Sequence, residues 1–263
     1  MKERSWGLIG LIGLLTIGCA SIPAADRSLA LPPAEGALER ANALYAIPRT
    51  PEHVRQAALY YEAAGRSGRG DDQRHYHPVT GLWMAARAYV WLAQYGSEDR
   101  AQQEKDIARA VDLGRRAVAA SPNQAEAHYY LAAALGLFSQ LHSAINHLTE
   151  MAREGELAAA IDPTIDHAGP YRLLGSLYGF APEPPISIGD QDKGLEFLRQ
   201  AVKLAQYDSE NHFRLAELLA AMGEKAEAKH QLETALFLDH SGDDPTETLA
   251  WQTEAQKLWE KVK

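Results

Sequence analysis

The sequence predicts an all-α fold, a solenoid of about five helix pairs closed by a C-terminal capping helix. Three observations predict it. From Ala37 onward the chain is a succession of segments rich in Ala, Leu, Glu, Lys and Arg, all good helix formers. These segments show almost none of the Val/Ile/Thr alternation of a half-buried strand. Turn signals cut them at Arg66 to Gly81, Gly96-Ser97, Asp162-Pro163, Ala181 to Gly189 and Ser241-Gly242, which leaves about eleven helices. Finally, small and large apolar residues recur at matching offsets from one segment to the next, the mark of stacked repeats.

The first element is not part of that stack. Lys2 and Arg4 precede an apolar run from Trp6 to Ile17, broken only by Gly7, Gly10, Gly13 and Thr16. A charged start followed by such a run reads as an export signal. It falls short of the ~20 residues a spanning helix needs. Gly18 stands directly before Cys19, and Leu15-Thr16-Ile17-Gly18-Cys19 resembles the lipobox at which bacterial lipoproteins are acylated and cut. Cys19 is the single cysteine of the 263 residues, so no internal disulfide can form and its thiol is free for lipid. The expected organisation is a signal peptide over 1–18, a lipidated cysteine and flexible tether over 19–36, and a helical repeat domain over 37–263. Residues 20–36 carry three prolines and no helical apolar stripe, which suits an irregular tether. Ala20 follows Cys19 where an aspartate would resemble an inner-membrane retention signal. The expected location is therefore the periplasm-facing cell envelope, at the outer membrane.

Charge narrows the function. The chain carries a formal −9, and losing Lys2, Glu3 and Arg4 with the signal takes it to −10. Nucleic-acid binding needs a basic face that releases counterions, so that class is excluded. Anionic lipids attract polybasic patches, so the lipid must do the anchoring here.

Within the helical part, helix starts are marked by Thr50-Pro51, Ser121-Pro122-Asn123-Gln124 and Asp244-Pro245, each a capping side chain followed by proline. Helices are expected to begin near 51, 122 and 245. Five units align. The first carries Leu38, Ala41, Asn42, Tyr45, Val54, Ala58 and Tyr61, and the second Leu82, Ala85, Ala86, Tyr89, Ala110, Gly114 and Ala117. The third has His128, Leu131, Ala132, Leu135, Ala144, Leu148 and Met151; the fourth has Tyr171, Leu174, Gly175, Tyr178, Gly194, Leu198 and Ala201. The fifth, with His212, Leu215, Ala216, Leu219, Ala228, Leu232 and Ala235, resembles a tetratricopeptide (TPR) repeat most closely. Unit starts lie 44, 46, 43 and 41 residues apart, longer than the ~34-residue TPR unit because loops are inserted. Small residues such as Ala86, Gly175 and Gly194 are expected where paired helices approach closely. Thr246 to Lys263 is expected to cap the last pair, with Leu249, Leu258 and Val262 inward and Glu247, Glu254, Glu260 and Lys261 outward.

A solenoid of this kind curves with the first helix of each pair on its concave side. The positions facing the groove are then Trp83, Arg87 and Trp91, Tyr129 and Ala133, Arg172, Ser176 and Phe180, and Phe213 and Glu217. Aromatic residues and arginine are the types enriched at binding hot spots, and an arginine fork can hold a carboxylate with two bonds. This lining is the predicted partner-binding surface. Asp190 is read as a helix cap.

Catalytic and metal constellations are not found. His75 and His77 lie in a long loop, but there is no HExxH or Cys/His cluster, and His142 and His147 are five residues apart rather than on one helical face. His128 and His212 fall on packing positions. Gly175-Ser176-Leu177-Tyr178-Gly179 does not have the G-x-S-x-G spacing and lies in a helical pattern, and Gly65 to Gly70 lacks the ending of a phosphate loop. No enzyme, cofactor or metal is expected.

Leu174 to Pro182, Ile186 to Asp190, the helix from Gly194 to Leu204 and Glu210-Asn211-His212-Phe213 resemble exported TPR lipoproteins of the TRAP transporter T-component family. The resemblance implies a periplasmic scaffold that docks a soluble solute-binding protein, sometimes as a homo-oligomer, without catalysis. A general envelope or outer-membrane assembly factor has the same fold and differs only in its partner. A small-ligand or metal-binding envelope protein is the remaining alternative.

Overall fold

Eleven α-helices and one π-helical turn make up the regular structure of the described residues, and no strand occurs among them. The computed structural model describes residues 19–66, 78–238, 240 and 243–263. The expected signal segment 1–18 and the His75/His77 loop lie outside the described residues. Five pairs follow one another: α1 (Ala37–Leu44) with α2 (Pro51–Arg66), α3 (Pro78–Trp91) with α4 (Arg100–Ala120), α5 (Ala125–His142) with α6 (Leu148–Ile161), α7 (Ile165–Phe180) with α8 (Gln191–Leu204), and α9 (Ser209–Ala221) with α10 (Lys225–Phe237). The last helix, α11 (Pro245–Val262), stands alone. A π turn, Leu92–Gly96, prolongs α3.

The caps explain most helix starts. Thr50 Oγ accepts the His53 N–H at 3.2 Å, Asp190 accepts from Lys193 at 2.9 Å, and Asp244 accepts from Thr246 at 3.0 Å. Each satisfies a first-turn amide that has no partner inside its own helix. The expected start near Pro122 is corrected. Ser121 instead ends α4, its N–H bonded to the Ala117 carbonyl, and α5 begins at Ala125. The reason is His128: its Nε2 lies 2.9 Å from the Pro122 carbonyl while its Nδ1 lies 2.5 Å from Glu154, so the 121–124 turn is tied down as a turn.

Helices α3, α5, α7 and α9 pack backbone to backbone, whereas successive second helices stand farther apart and meet through long ion-paired side chains. Closer spacing of the first helices puts them on the inside of the curve. The close approaches fall where small residues were expected. A Cβ on Gly175 would lie 2.5 Å from Leu198 Cγ, and one on Gly194 would lie 2.5 Å from the Gly179 backbone nitrogen. Ala86, Ala110, Ala132, Ala216 and Ala228 are fully buried. Two apolar clusters result, one from α1 to α7 and one from α8 to α11, and Phe180 packs against both. On the outer side, Arg55 forks onto Asp106 at 2.8 and 2.9 Å, and the buried Arg109 bonds Glu62.

The C-terminal cap is also corrected in detail. Trp251, Ala255 and Val262 are the buried residues of α11, and Leu249 is exposed. An inward stripe through Trp251 and Ala255 turns the helix away from Leu249.

Candidate functional site

The inner wall begins with a ladder on α3. Trp83, Arg87, Trp91 and Tyr95 recur every four residues and share one face of that helix and its π turn. Trp83 stacks on Tyr130 of α5 with centroids 5.8 Å apart and planes 3° from parallel. Tyr130 in turn leans on Tyr129 at 4.9 Å. The Arg87 guanidinium carbon lies 4.3 Å from the Tyr45 ring centroid and 5.6 Å from that of Trp83, so the cation is bracketed by ring faces. Burial pushes the Tyr45 phenol up to about 12 against the pull of Arg87 and Arg49. Trp91 is buried against Tyr95, and its indole nitrogen has no partner among the described residues.

Farther along the wall the chemistry becomes ionic. Arg172 on α7 bonds Asn211 Oδ1 at 2.9 Å and Asp166 Oδ2 at 3.0 Å, with Asp208 at 3.6 Å and Glu210 at 3.5 Å. Tyr129 donates its hydroxyl to the same Asp166 oxygen. To present that carboxylate, Asp166, His167 and Ala168 all take left-handed backbone angles (φ 50°, 53° and 66°). A left-handed run of non-glycine residues is strained, and it persists only where its surroundings hold it. The Asn211 amide and the Arg172 guanidinium both bond the His167 carbonyl. Gly169 follows because a Cβ there would meet the Tyr129 hydroxyl at 2.5 Å. Arg214 bonds Glu217 at 2.7 Å and Glu210 at 3.0 Å. Burial raises the Glu210 carboxyl, but Arg172 and Arg214 outweigh it and hold the group below its usual value. Burial raises Glu217, with Arg214 opposing.

The groove-facing assignment is therefore corrected in one respect. Trp83, Arg87, Trp91, Tyr129, Arg172, Ser176 and Glu217 lie on the first helices of their pairs and the π turn's helix, and most of them are taken up in contacts inside the chain. Trp91, Tyr129, Arg172 and Ser176 are buried, Trp83, Arg87, Phe180 and Glu217 half-buried, and Phe213 is 0% exposed, packed 6.1 Å from Trp251 inside the core. The cause is α11. Its cap Asp244 is buried and accepts the Arg49 N–H at 2.8 Å, and Glu247 pairs with the Arg49 guanidinium, which lies 4.5 Å over Tyr45. The last helix thus reaches the first pair across the concave side. A cleft of about 680 Å³ remains between residues 94–98 and α11.

Sequence alone placed Tyr45 on a packing position and Asn211 in the resembling segment without giving either a role at the wall, and it did not bring out Tyr130, Asp166, Arg214 or Arg49. The Glu210/Arg214 spacing of four was a legible signal for an ion pair on one helical face. Arg49 and Asp166 carry none, because their positions depend on where distant helices end. Among the described residues, no group of three or more His, Cys, Asp or Glu is placed to hold a metal ion.

Outside the wall, Leu204 and Tyr207 line an open cleft of about 610 Å³ with Thr164, His167, Lys203 and Asp208. Tyr207 is 76% exposed, and Phe237 at the end of α10 is 87% exposed. No helix among the described residues is long and apolar enough to cross a membrane.

A crystal structure of a thermophilic TPR protein from Thermus thermophilus superposes with a TM-score of 0.58 over 86% of this chain and 98% of that one, at 19% identity. The fold is TPR-like. Yeast Tom70 matches at 16% identity and a TM-score of 0.46, over 86% of this chain and 47% of that protein. The family described as Regulator of microtubule dynamics protein 1-3 matches residues 67–177, less than half of the chain. No curated protein matches.

Proposed function

We propose that this chain is a lipid-anchored envelope scaffold, tethered through Cys19, that docks a protein partner on the rim of its TPR-like stack. The observation that carries the reading is the contrast between an inner wall whose charges pair with one another and an apolar rim left bare. The arginines and carboxylates inside bind one another, while Leu204, Tyr207 and Phe237 stand in solvent at the ends of α8 and α10. Exposed aromatics beside a cleft are the residue types that carry binding energy at protein interfaces. The acidic chain adds no case for nucleic acid. The resemblance of residues 174–213 to TRAP T-components makes a periplasmic solute-binding subunit the partner class of first choice.

Photocrosslinking tests this directly. A benzophenone amino acid at Tyr207 is expected to yield an adduct with a solute-binding subunit encoded beside this chain, and one at Trp91 is expected to yield none. Adducts at Trp91 alone would return the binding surface to the groove. Separately, Cys19→Ala should move the protein from the membrane to the soluble fraction with its helicity intact, since the helical body contains no other cysteine.

A further inference from the structure

The segment that follows Cys19 does not stand away from the body. Ala20 donates its N–H to Asn146 Oδ1 at 3.3 Å, and its carbonyl accepts from Asn146 Nδ2 at 3.0 Å, with His147 Nε2 at 3.3 Å from the same oxygen. Asn146 and His147 form the turn between α5 and α6, and the His147 ring is set edge-on to Phe138 at 5.3 Å. Ile22 packs against the core. Arg27 pairs with Asp112 of α4, and residues 23–26 with Leu29 roof a cleft against α2 and α4. The chain from 20 to 29 is thus strapped across the outer side of the second and third pairs. A free tether of its length would let the body wander by roughly 20 Å. Here the first grip falls on the residue next to Cys19, within about 4 Å of chain.

We infer that the Asn146–Ala20 clamp sets the orientation of the stack, so that the turns inside the third and fourth helix pairs are the face this protein turns to a lipid bilayer. The inference rests on the lipid-anchor reading of Cys19. In a stack of antiparallel hairpins the turns within pairs lie at one end of the helices and those between pairs at the other. The 14 residues of α6 separate the two ends by about 20 Å. An exposed isoleucine sits in the neighbouring turn of the same kind as the one that holds Asn146: Ile186, between α7 and α8. Single large apolar side chains at such positions can enter the headgroup layer without a polybasic patch, which this acidic chain lacks. Tyr207 lies at the other end of its helix, where it is turned from lipid toward soluble partners.

Because Cys19 is the only cysteine and its sulfur is taken up by lipid, a cysteine placed at Ile186 or Tyr207 can be labelled alone in the full acylated chain. The labelled proteins are reconstituted into phosphatidylcholine vesicles that carry a nitroxide on the headgroup. Quenching of the fluorophore is expected to be several-fold stronger for I186C than for Y207C. Asn146→Ala loosens the first grip, and Asn146→Ala with Ile22→Ser and Arg27→Ala releases the strap, so the difference is expected to narrow in the single variant and to vanish in the triple one while both still float with the vesicles. Equal quenching at the two sites with Asn146 intact, or stronger quenching at Tyr207→Cys, overturns the inference and leaves the anchor standing. A mass spectrum showing unmodified Cys19, or a chain that does not float, overturns the anchor reading and the orientation with it.

Discussion

Arg87 and Arg172 project from the same inner row, one helical turn apart in the repeat, yet they are buried by opposite means. Arg172 is ringed by Asp166, Asp208 and Glu210 and bonded to Asn211. Arg87 is bracketed by Tyr45 and Trp83, and its Nε has no hydrogen-bond partner among the described residues. A guanidinium is flat and weakly hydrated, so ring faces can replace much of its water. A set of carboxylates cannot be handled that way. Gathered in one place and only partly solvated, they demand a cation, and removing it leaves several negative charges facing one another. The same residue type is therefore essential at one site and replaceable at the other.

The sharpest way to break this comparison is Arg172→Met, which keeps most of the volume and removes the charge. We expect a loss of about 2–3 kcal/mol, less than for fully buried partners because the Asp166, Asp208 and Glu210 side chains keep 42%, 19% and 28% exposure, read as a lower urea midpoint. A loss under about 1 kcal/mol would mean that the carboxylates simply take up protons or water, and the ionic half of the wall would lose its structural meaning. Arg87→Met is the matched experiment. It forfeits the ring contacts, about 0.5–2 kcal/mol, and strands no charge among the described residues. If the two substitutions cost the same, the distinction between the sites fails.

The two halves of the wall were unequally legible in sequence. The helix pairs, their offsets and the close approaches at Gly175 and Gly194 follow from local periodicity and small residues, and the structure has them in place. Which inner residues are open to a partner depends on α11, whose path is set by contacts between residues almost 200 positions apart, Arg49 with Asp244 and Glu247. No periodicity encodes that return. The left-handed turn at Asp166 is nearly as hard to read, since Asp166 and His167 tolerate that geometry but only Tyr129, Arg172 and Asn211 hold it. Leu249, read as inward from its spacing, faces solvent because Trp251 displaced the stripe.

The smallest expected effect concerns pH, and it has opposite signs at the two ends of the wall. Glu210 is held below its ordinary value because Arg172 and Arg214 outweigh burial. A depressed carboxyl stabilises the fold above its unfolded pKa of 4.5, and that contribution is lost as pH falls through the lowered folded value. Glu247, which latches α11 to Arg49, is raised to about 7 by burial, with Asp166, Asp244 and Glu210 adding to the rise against Arg49. A raised carboxyl works the other way. Its contribution is fully present below 4.5 and is lost as pH climbs through about 7, because the folded chain must then carry a charge it disfavours. The Glu247 side chain is still 41% exposed, so solvent screens much of this, and less than about 1 kcal/mol should survive. Denaturant titrations of the unaltered chain and of Glu247→Gln, repeated from pH 4.5 to 7, isolate it: their difference in stability should shift against the unaltered chain as pH rises. A constant difference would show that the α11 latch is indifferent to protons, and that the ionic site around Arg172 alone sets the pH response of the wall.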